Sequence, residues 1–404
     1  MSTAVPPPRL GAQPVYDTAA DVGHNLGGPR GSLRWQSIQV REALDDGTGP
    51  TLFGRRLRGV VGIPACPLTA DAAWVSAMAG AGFDVLTHKT VRSREHPAHA
   101  FPQWLLGSAV EVPGADALVV RPGVGEHGVD DQGLGDQGDP VSSANSFGVP
   151  SPAPAVWQAD LESCLEVLAS GQVLIASVMG SPEVHAGPAL VADFVRVARL
   201  AAEVGVSAVE LNLSCPNTLH AGGTGVNAPI CADPAAAADV VEAVRAALPA
   251  RVAVVAKLSA LPTPLLVEVV ARIGPAVAAI AGINAVQRRV LDATGRPAFG
   301  PAREHAGVSG AAVTEAGLAF VRTVRSVRDA SGAGYAIVGM GGVLTVEDVA
   351  AQLAAGADVV QSATGACLDP DLAERSRALA RARSGSPAGS GAGSAPVRAD
   401  AAAR

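Results

Sequence analysis

Residues 208–258 read AVELNLSCPNTLHAGGTGVNAPICADPAAAADVVEAVRAALPARVAVVAKL, and this stretch decides the fold. The apolar run at Ala208–Leu213 predicts a buried strand, and the run at Val252–Leu258 predicts a second one. An Ala-rich helical pattern lies between them. A strand, a helix and a second strand in this order are typical of βα units with a parallel sheet.

The same alternation extends in both directions along the chain and predicts eight strands. They are Val60–Ile63, Asp84–Thr87, Val173–Val178, Ala208–Leu213, Val252–Leu258, Val277–Ile283, Tyr335–Val338 and Asp358–Gln361. Eight such units predict an α/β fold, a closed (β/α)8 TIM barrel. Polar or glycine residues end several of the strands: His88-Lys89-Thr90, Asn212, Lys257, Asn284 and Gly339. Because barrels of this kind place their chemistry at the carboxyl ends of the strands, we expect a site there.

The rest of the chain divides into three parts. Residues 1–50 are rich in Pro and Gly and predict an irregular N-terminal arm with some packed pieces. Residues 51–383 form the predicted barrel. Residues 384–404 read SGSPAGSGAGSAPVRADAAAR and predict a flexible, disordered tail.

Residues 107–144 interrupt the βα rhythm. Six glycines lie between residues 123 and 138, and the whole stretch contains seven acidic residues and only one arginine. A long acidic, Gly-rich insertion inside a compact domain is usually functional or disordered. We expect an excursion over the barrel mouth that is either a lid or an idle solvated insertion.

Composition excludes several classes of protein. A net charge of −7 and a pI of about 5.6 argue against nucleic acid as a partner. The five cysteines are scattered and have no C-x-x-C spacing, which argues against a disulfide framework and against a metal or cluster site made by this chain alone. No apolar run reaches the length of a membrane span, so we expect no membrane association and a cytoplasmic location.

Lysine use is unusual in this sequence. Of the 30 Lys and Arg residues, only Lys89 and Lys257 are lysines. An Ala-, Gly- and Arg-rich composition explains the bias without any function. A compact ammonium on a flexible stem, however, differs from the planar guanidinium, so both lysines are candidates for a task that Arg does not perform.

The segment Glu210-Leu211-Asn212-Leu213-Ser214-Cys215-Pro216-Asn217 holds a thiol at the end of a predicted strand. Cys215 is either a small buried apolar side chain or, in a tuned environment, a general base. The E-L-N-x-S-C-P-N pattern resembles the dihydroorotate dehydrogenase family, and the resemblance extends over about residues 52–380. It implies that Cys215 is the catalytic base, since the soluble branch of the family has Cys at this position and the membrane-linked branch has Ser.

The two lysines fall on lysine positions of that family. Thr87-His88-Lys89-Thr90 resembles its second-strand T-K-[ST] element, and Ala256-Lys257-Leu258-Ser259 resembles its fifth-strand lysine element. The resemblance implies FMN as cofactor, with Lys89, Thr90, Asn212 and Lys257 beside it and Lys89 also catalytic. A cation near the flavin pyrimidine end stabilises the anionic reduced ring.

Glycine-containing turns follow the sixth, seventh and eighth predicted strands. Gly339-Met340-Gly341-Gly342-Val343 and Gln361-Ser362-Ala363-Thr364-Gly365 allow backbone N–H groups to approach a phosphate, and the next helix adds a favourable dipole. By resemblance, Gly341, Gly342, Ala363 and Thr364 bind the FMN phosphate. His305–Gly310 resembles the family's G-G-[LV]-S-G element, which implies that Gly310 lines the flavin.

Asn145-Ser146-Phe147-Gly148-Val149-Pro150 resembles the family's N-S-[MF]-G-[LV]-P loop over the substrate. The resemblance implies substrate contacts from Phe147, Gly148 and Val149, and four amides around a pyrimidine ring: Asn145, Asn212, Asn217 and Asn284. A carboxamide carries both a donor and an acceptor and therefore matches a cyclic imide.

Four features depart from the family pattern: Ala285 in place of Ser or Thr, Ser151 in place of Asn, Ile63–Pro67 in place of a small-residue-plus-Gly run, and Glu95–His99 in place of G-N-P-x-P-R. The expected activity is oxidation of dihydroorotate, with Cys215 taking the C5 proton and C6 delivering hydride to flavin N5. The alternatives are a flavoenzyme of the same scaffold acting on another dihydropyrimidine or a secondary-metabolite C=C bond, and a non-catalytic flavin-binding protein.

The expected partners are a cyclic amide substrate and a route for electrons out of the flavin. The sequence has no cysteine set for an iron–sulfur cluster and no G-x-G-x-x-G opening for NAD. We therefore expect either a soluble electron acceptor or a separate electron-transfer subunit, and a homodimeric assembly.

Overall fold

A computed structural model describes residues 14–29, 49–111, 117–122, 140–214 and 228–384 of the chain. Its strands are β1 Thr51–Leu52, β2 Arg55–Arg56, β3 Val61–Ile63, β4 Val85–Arg92, β5 Trp104–Glu111, β6 Ala117–Pro122, β7 Val141–Asn145, β8 Val173–Met179, β9 Ala208–Asn212, β10 Ala253–Lys257, β11 Ala279–Gly282, β12 Val286–Leu291, β13 His305–Gly310, β14 Ala336–Met340 and β15 Val359–Gln361.

The α-helices of the described residues lie between and after these strands. They are α1 Ala72–Gly80, α2 Pro154–Glu166, α3 Gly187–Glu203, α4 Pro234–Ala247, α5 Thr263–Ile273, α6 Thr314–Ser331, α7 Val346–Ala355, α8 Thr364–Leu368, α9 Leu372–Arg375 and α10 Arg377–Ser384. Short 3-10 turns occupy Pro67–Thr69, Ile230–Ala232, Gly274–Ala276, Pro301–Arg303 and Ala311–Val313.

Eight strands close into a parallel barrel in the order β3, β4, β8, β9, β10, β11, β14 and β15. Each predicted strand corresponds to one of these, so the (β/α)8 prediction is confirmed. Alternate residues of each strand point inward, and small or branched side chains such as Val85, Ile175, Val255 and Val359 fill the interior. The scarcity of aromatic residues therefore suits a barrel core built from Ala, Val and Leu.

The amino-terminal end of the barrel is closed by the β1–β2 hairpin and a buried ion pair. Leu52 and Leu57 cover the interior, and both are buried. Arg58 Nη2 lies 2.6 Å from Asp84 Oδ1, and both side chains are buried. Burial raises the pKa of Asp84, and the Arg58 guanidinium opposes that shift. These contacts leave the opposite end of the barrel as the open mouth.

A second closed sheet stands beside the mouth, in the order β12, β13, β7, β5 and β6. We call these five strands the small barrel. Four of its pairings are antiparallel, and β12 pairs with β6 in parallel to close it. Residues 107–144 were predicted to form an excursion over the barrel mouth, but residues 107–111, 117–122 and 141–144 are parts of the strands β5, β6 and β7. Residues 112–116 and 123–139 lie outside the described residues.

The described part of the N-terminal arm, residues 14–29, contains no helix or strand and packs on the barrel. The Val15 N–H donates to the Cys367 carbonyl over 2.9 Å. The buried ring of Tyr16 lies 5.1 Å from the Trp104 ring. Of the expected tail, residues 384–404, Ser384 is the last residue of α10, and residues 385–404 lie outside the described residues. Within the described ranges, every helix is too short or too polar to cross a bilayer.

Candidate active site

A cavity lined by described residues opens at the carboxyl ends of the barrel strands. It encloses about 1100 Å³ of empty space, including the part open to solvent. Its walls come from the ends of the strands and from one side of the small barrel. We call it the mouth cavity. It is where a (β/α)8 fold is expected to hold its ligands.

Both lysines of the chain line this cavity. Lys257 ends β10 and is only 3% exposed, and its backbone stands beside Asn212 in the neighbouring strand β9. Lys89 and Thr90 reach the cavity from β4, where the pairing with β8 shifts register between His88 and Val91. A positive charge that is largely shielded from water attracts an anion, or a group that becomes anionic, more strongly than an exposed charge does.

Two asparagines and a serine form a hydrogen-bonded set at the end of β9. The Asn212 carboxamide accepts from the Ser214 hydroxyl at 2.9 Å, and the Ser214 hydroxyl accepts from Asn284 Nδ2 at 2.9 Å. Asn212 Nδ2 donates to Thr90 Oγ1 at 3.2 Å, which joins this set to β4. The set fixes the orientations of Asn212 and Asn284 before any ligand binds.

A third asparagine enters the cavity from the small barrel. Asn145 ends β7, and its Nδ2 donates to the Gly307 carbonyl of β13 at 3.2 Å. A Cβ atom on Gly307 would lie 2.8 Å from the Ala285 Cβ and 3.4 Å from Asn145 Nδ2. Residue 307 therefore has to be glycine for the Asn145 and Ala285 side chains to approach its backbone as they do.

The loop after β7 covers the cavity and is held by Arg92. Phe147, Gly148 and Val149 line the cavity. Arg92 Nε donates to the Val149 carbonyl at 3.0 Å, and Nη2 donates to the Gly148 carbonyl at 3.2 Å. Val149 has a φ of 53°, which is rare and strained for a β-branched residue. The buried guanidinium helps to hold this strained loop in place.

Glu210 lies one layer below the cavity, inside the barrel. Its backbone is two residues before Asn212 on β9, so both side chains face the interior. The carboxyl group is fully buried, and its Oε1 has no hydrogen-bond partner. Burial raises the pKa of Glu210, and the Lys257 charge and the Ser177 hydroxyl oppose that shift.

Glycines form the opposite wall of the cavity, at the ends of β14 and β13. A Cβ on Gly342, whose φ is 78°, would lie 2.1 Å from Thr314 Oγ1, and a Cβ on Gly341 would lie 2.8 Å from Ile283 Cγ1. Gly310, Ala363 and Thr364 complete this wall. The Ser143 hydroxyl of the small barrel lies 2.8 Å from Thr364 Oγ1. The wall therefore presents backbone and hydroxyl groups, which suits a phosphate.

The helix that follows this wall, α7, offers a weaker positive dipole to a phosphate than the sequence suggested. The N-terminus of α7 is closed by a capping box, in which Asp348 Oδ2 accepts from the Leu344 and Thr345 N–H groups. The Asp348 N–H in turn donates to Thr345 Oγ1. The predicted dipole contribution from this helix is therefore weakened by its own caps.

The mouth cavity fits FMN on the chemistry of its walls. Two ammonium groups lie on one side, where a flavin pyrimidine ring would need positive charge. A glycine wall with no room for Cβ atoms lies on the other, where a phosphate would need backbone donors.

The structure brings together nearly all of the sequence-predicted site residues. Those that line the mouth cavity are Lys89, Thr90, Asn145, Phe147, Gly148, Val149, Asn212, Lys257, Asn284, Gly310, Gly341, Gly342, Ala363 and Thr364. Cys215 and Asn217 lie outside the described residues. The preceding residue, Ser214, is described and buried at the end of β9.

Other lining residues were not predicted. Trp104, Ser143 and Ser309 come from the small barrel, whose strands were not predicted from the sequence. Cys66 and Ala285, noted only as departures from a pattern, also line the cavity. Burial raises the pKa of Cys66 to about 11. The Ser151 hydroxyl accepts from the Arg92 N–H at 3.0 Å, so this departure supports the loop.

Comparisons with known proteins converge on one family. The family model described as Dihydroorotate dehydrogenase matches residues 137–376. Dihydroorotate dehydrogenase of Dictyostelium discoideum is 30% identical over 377 residues, which cover 89% of this chain and 96% of that protein.

Other relatives match a smaller part of the chain. The putative dihydroorotate dehydrogenase A (fumarate) of Solibacter usitatus is 36% identical over 44% of this chain and 55% of its own length. The catalytic subunit of dihydroorotate dehydrogenase B (NAD(+)) of Thermoplasma acidophilum is 33% identical over 48% of this chain and 57% of its own length. The crystal structure of DHODH from Eimeria tenella in complex with ferulenol has a TM-score of 0.60 at 15% identity, covers 86% of this chain and 87% of that one, and shows the shared fold.

Proposed function

Since the chain belongs to the dihydroorotate dehydrogenase family, we propose that it is an FMN-dependent enzyme that oxidises dihydroorotate to orotate. The family assignment makes it a flavin oxidoreductase acting on CH–CH bonds. One observation supports the finer proposal most strongly. Two lysines and three asparagines, which come from five separate segments, line a single cavity at the barrel mouth.

In this proposal the walls of the cavity hold the two ends of FMN. Lys257 and Lys89 face its pyrimidine ring, with Thr90 and Asn212 beside them, and Gly310 lines the ring from the small-barrel side. Gly341, Gly342, Ala363 and Thr364 hold the phosphate. When bound, FMN supplies a hydride acceptor at its N5 atom.

The asparagines bind the substrate ring. Asn145, Asn212 and Asn284 each present a carboxamide to the cavity, and a carboxamide pairs with both the N–H and C=O groups of a cyclic imide. Asn217 is the fourth member by its motif. Phe147, Gly148 and Val149 cover the ring and exclude water. A ring without matching polar groups would leave these amides unpaired, which disfavours its binding.

The proton is removed by Cys215. It follows Ser214 directly in the chain, and Ser214 is fixed by hydrogen bonds to Asn212 and Asn284. The Cys215 thiolate takes the proton from C5 of dihydroorotate, hydride leaves from C6, and the C5=C6 double bond of orotate forms. A thiol suits this role better than a serine hydroxyl, because the thiol is the stronger acid and is more readily ionised at neutral pH.

The electrons then leave to an acceptor that this site does not identify. Relatives of the chain are named for fumarate and for NAD(+), the latter as catalytic subunits. Fumarate is a soluble oxidant and is therefore the first acceptor to test. Absence of turnover with fumarate would direct the search to a separate electron-transfer subunit.

One observation favours a second candidate substrate. Ala285 and Cys66 line the cavity where family members usually have a hydroxyl residue and a smaller residue. The cavity wall is therefore less polar near Asn284 and more crowded near Cys66. These changes favour another dihydropyrimidine or a related C=C bond as substrate of the same scaffold.

Reconstitution with FMN followed by a substrate panel tests these proposals. The protein is mixed anaerobically with dihydroorotate, dihydrouracil and dihydrothymine, and loss of the visible flavin absorbance is followed. Fast reduction by dihydroorotate alone supports the main proposal, and fast reduction by another ring supports the second. A protein that binds no FMN at all contradicts both.

A further inference from the structure

The strand β4 contains a bulge at the two residues that reach the mouth cavity. His88 stands opposite Ala176 of β8, and Val91 stands opposite Val178. Lys89 and Thr90 therefore share the place opposite a single residue, Ser177. A bulge of this kind lets two successive side chains point to the same face of a strand. Lys89 and Thr90 both line the cavity for this reason.

His88 lies on the other face of β4 and binds the bulge from behind. The His88 side chain is 3% exposed. Its Nδ1 atom lies 2.9 Å from the Lys89 carbonyl oxygen, and its Nε2 atom lies 3.1 Å from Asp160 Oδ2 on α2. The other Asp160 oxygen accepts from the Ala72 N–H at the start of α1 at 3.0 Å. One ring thus connects the bulge to two helices.

The partners of His88 determine where its protons lie. A carbonyl oxygen only accepts, so Nδ1 carries a proton and donates to the Lys89 carbonyl. Asp160 faces Nε2 with an oxygen, so a second proton lies between them. Burial raises the pKa of Asp160, but the hydrogen bonds from His88 and Ala72 outweigh it and lower the pKa overall. The proton on Nδ1 and the proton between Nε2 and Asp160 fix the ring in one orientation.

We propose that His88, oriented by Asp160, is a positioning residue that holds the β4 bulge and thereby keeps the Lys89 ammonium in the mouth cavity. The proposal rests on the proposed function, in which Lys89 contacts FMN. His88 touches neither cofactor nor substrate in this scheme. It acts through the carbonyl group of the residue that does.

His88 and Asp160, together with Cys164, also resemble a metal site. The test therefore has to distinguish metal binding from the positioning role of His88. His88, Asp160 and Cys164 have ligand atoms within 4.8 Å of one another, and Cys164 Sγ lies 3.8 Å from Asp160 Oδ2. Burial raises the pKa of Cys164, which favours a thiol that donates to Asp160 over a thiolate that binds a metal. Hydrogen bonding among the three residues accounts for their proximity.

Two isosteric substitutions separate the contacts of the ring. In His88→Asn the amide nitrogen occupies the place of Nδ1, so the donor to the Lys89 carbonyl is kept and the Asp160 contact is lost. In His88→Gln the amide nitrogen reaches the place of Nε2, so the Asp160 contact is kept and the donor to Lys89 is lost. A merely structural role, or a metal site, gives no advantage to His88→Asn.

The first measurement is the FMN dissociation constant of the apoprotein, followed by flavin fluorescence. We expect His88→Gln to weaken binding about tenfold, as loss of one buried hydrogen bond does, and His88→Asn to stay within about threefold of wild type. In a Lys89→Met background, His88→Gln should change binding by less than about twofold, since its effect passes through Lys89. Equal effects of the two substitutions, or full additivity with Lys89→Met, overturn the proposal.

The second measurement needs no flavin. The Lys89 carbonyl and the Thr90 N–H belong to one peptide unit, so hydrogen exchange in peptides covering residues 85–92 reports on the bulge directly. We expect faster exchange in His88→Gln than in His88→Asn. If wild type fails to bind FMN, the proposed function fails, but this comparison still decides the role of His88. Equal exchange in the two variants contradicts it.

Metal analysis of the purified protein completes the test, with Cys164→Ser as the control. Cys164→Ser keeps a hydrogen-bond donor to Asp160 and should leave FMN binding and exchange unchanged. A stoichiometric zinc ion in wild type that is lost in Cys164→Ser and His88→Gln would replace the positioning role with a metal site.

Discussion

Arg92 and Glu183 form a two-point ion pair beneath the loop that covers the mouth cavity. Arg92 Nη1 lies 2.8 Å from Oε1 and 2.9 Å from Oε2 of the Glu183 carboxylate. The Arg92 side chain is 1% exposed and that of Glu183 is 24% exposed. The remaining guanidinium nitrogens bind the carbonyls of Gly148 and Val149. Glu183 therefore holds Arg92 in the orientation that supports the strained Val149.

Arg92→Lys is expected to raise the KM for substrate about tenfold, with a smaller effect on kcat. Lysine keeps the charge but cannot bind Glu183 and two carbonyls at once. Loss of one hydrogen bond to a charged group costs about 1.5–3 kcal/mol, and 1.4 kcal/mol is a factor of ten. Steady-state kinetics measure the effect, and Arg196→Lys on the exposed face of α3 is the matched control. An unchanged KM would remove Arg92 from loop support.

Lys257→Met is expected to make the bound flavin harder to reduce. A nearby ammonium stabilises negative charge on the reduced ring, and its loss in a buried site lowers the midpoint potential by at least ~30 mV, the two-electron equivalent of about 1.4 kcal/mol. Potentiometric titration of the purified variant measures this. Lys257→Arg should fall between wild type and Lys257→Met, because the guanidinium is wider. A potential equal to wild type in Lys257→Met contradicts the assignment.

Glu210→Gln is expected to be more stable relative to wild type at neutral pH than it is at acid pH. Because burial raises the pKa of Glu210 in the folded state, wild type binds this proton more tightly when folded. Its contribution is therefore full below the ordinary Glu pKa of about 4.3 and is lost as the pH rises through the higher folded pKa. Glutamine has no such loss.

Melting temperatures of both proteins between acid and neutral pH measure this difference, with Glu268→Gln on the exposed face of α5 as the control. The gap in Tm between Glu210→Gln and wild type should widen in favour of the variant as the pH rises. A gap that moves the other way would mean that Glu210 is a carboxylate stabilised by Lys257.

Gly342→Ala is expected to weaken FMN binding by about tenfold or more. Its Cβ would lie 2.1 Å from Thr314 Oγ1, and its φ of 78° is unfavourable for alanine, with strain of about 1–3 kcal/mol. The backbone that faces the phosphate would shift. Fluorescence titration with FMN measures the change, and Gly334→Ala, which meets nothing within 4 Å, is the control. Equal affinities would exclude this turn from the phosphate site.

The barrel was predictable from sequence because its strands are continuous apolar runs. Val173–Met179 is buried at every position, because helices cover the outer face of a barrel strand and the barrel interior covers its inner face. Such runs differ clearly from the Ala-rich helical patterns between them. The polar residues that end the runs, such as Asn212 and Lys257, then locate the mouth cavity.

The small barrel was not predictable in the same way. Its strand β12 reads VQRRVL and is buried only at its last two residues, and β13 reads HAGVSG and contains two glycines. Neither has a continuous apolar run, and pairing of β12 with β6 joins segments more than 150 residues apart in the sequence. Trp104 and Ser143 were missed as cavity residues because they lie on β5 and β7, two further strands of the small barrel. The His88–Asp160 contact also requires the fold, since it joins a strand to a helix 72 residues later.

The central claim is that the mouth cavity holds FMN and presents dihydroorotate to it. An anaerobic titration of the FMN-loaded protein with dihydroorotate tests this most directly, with Cys215→Ala measured in parallel. The account predicts that wild type loses its visible flavin absorbance with dihydroorotate, whereas Cys215→Ala keeps bound FMN that only a chemical reductant reduces quickly. FMN-loaded wild type that dithionite reduces but dihydroorotate does not would contradict it.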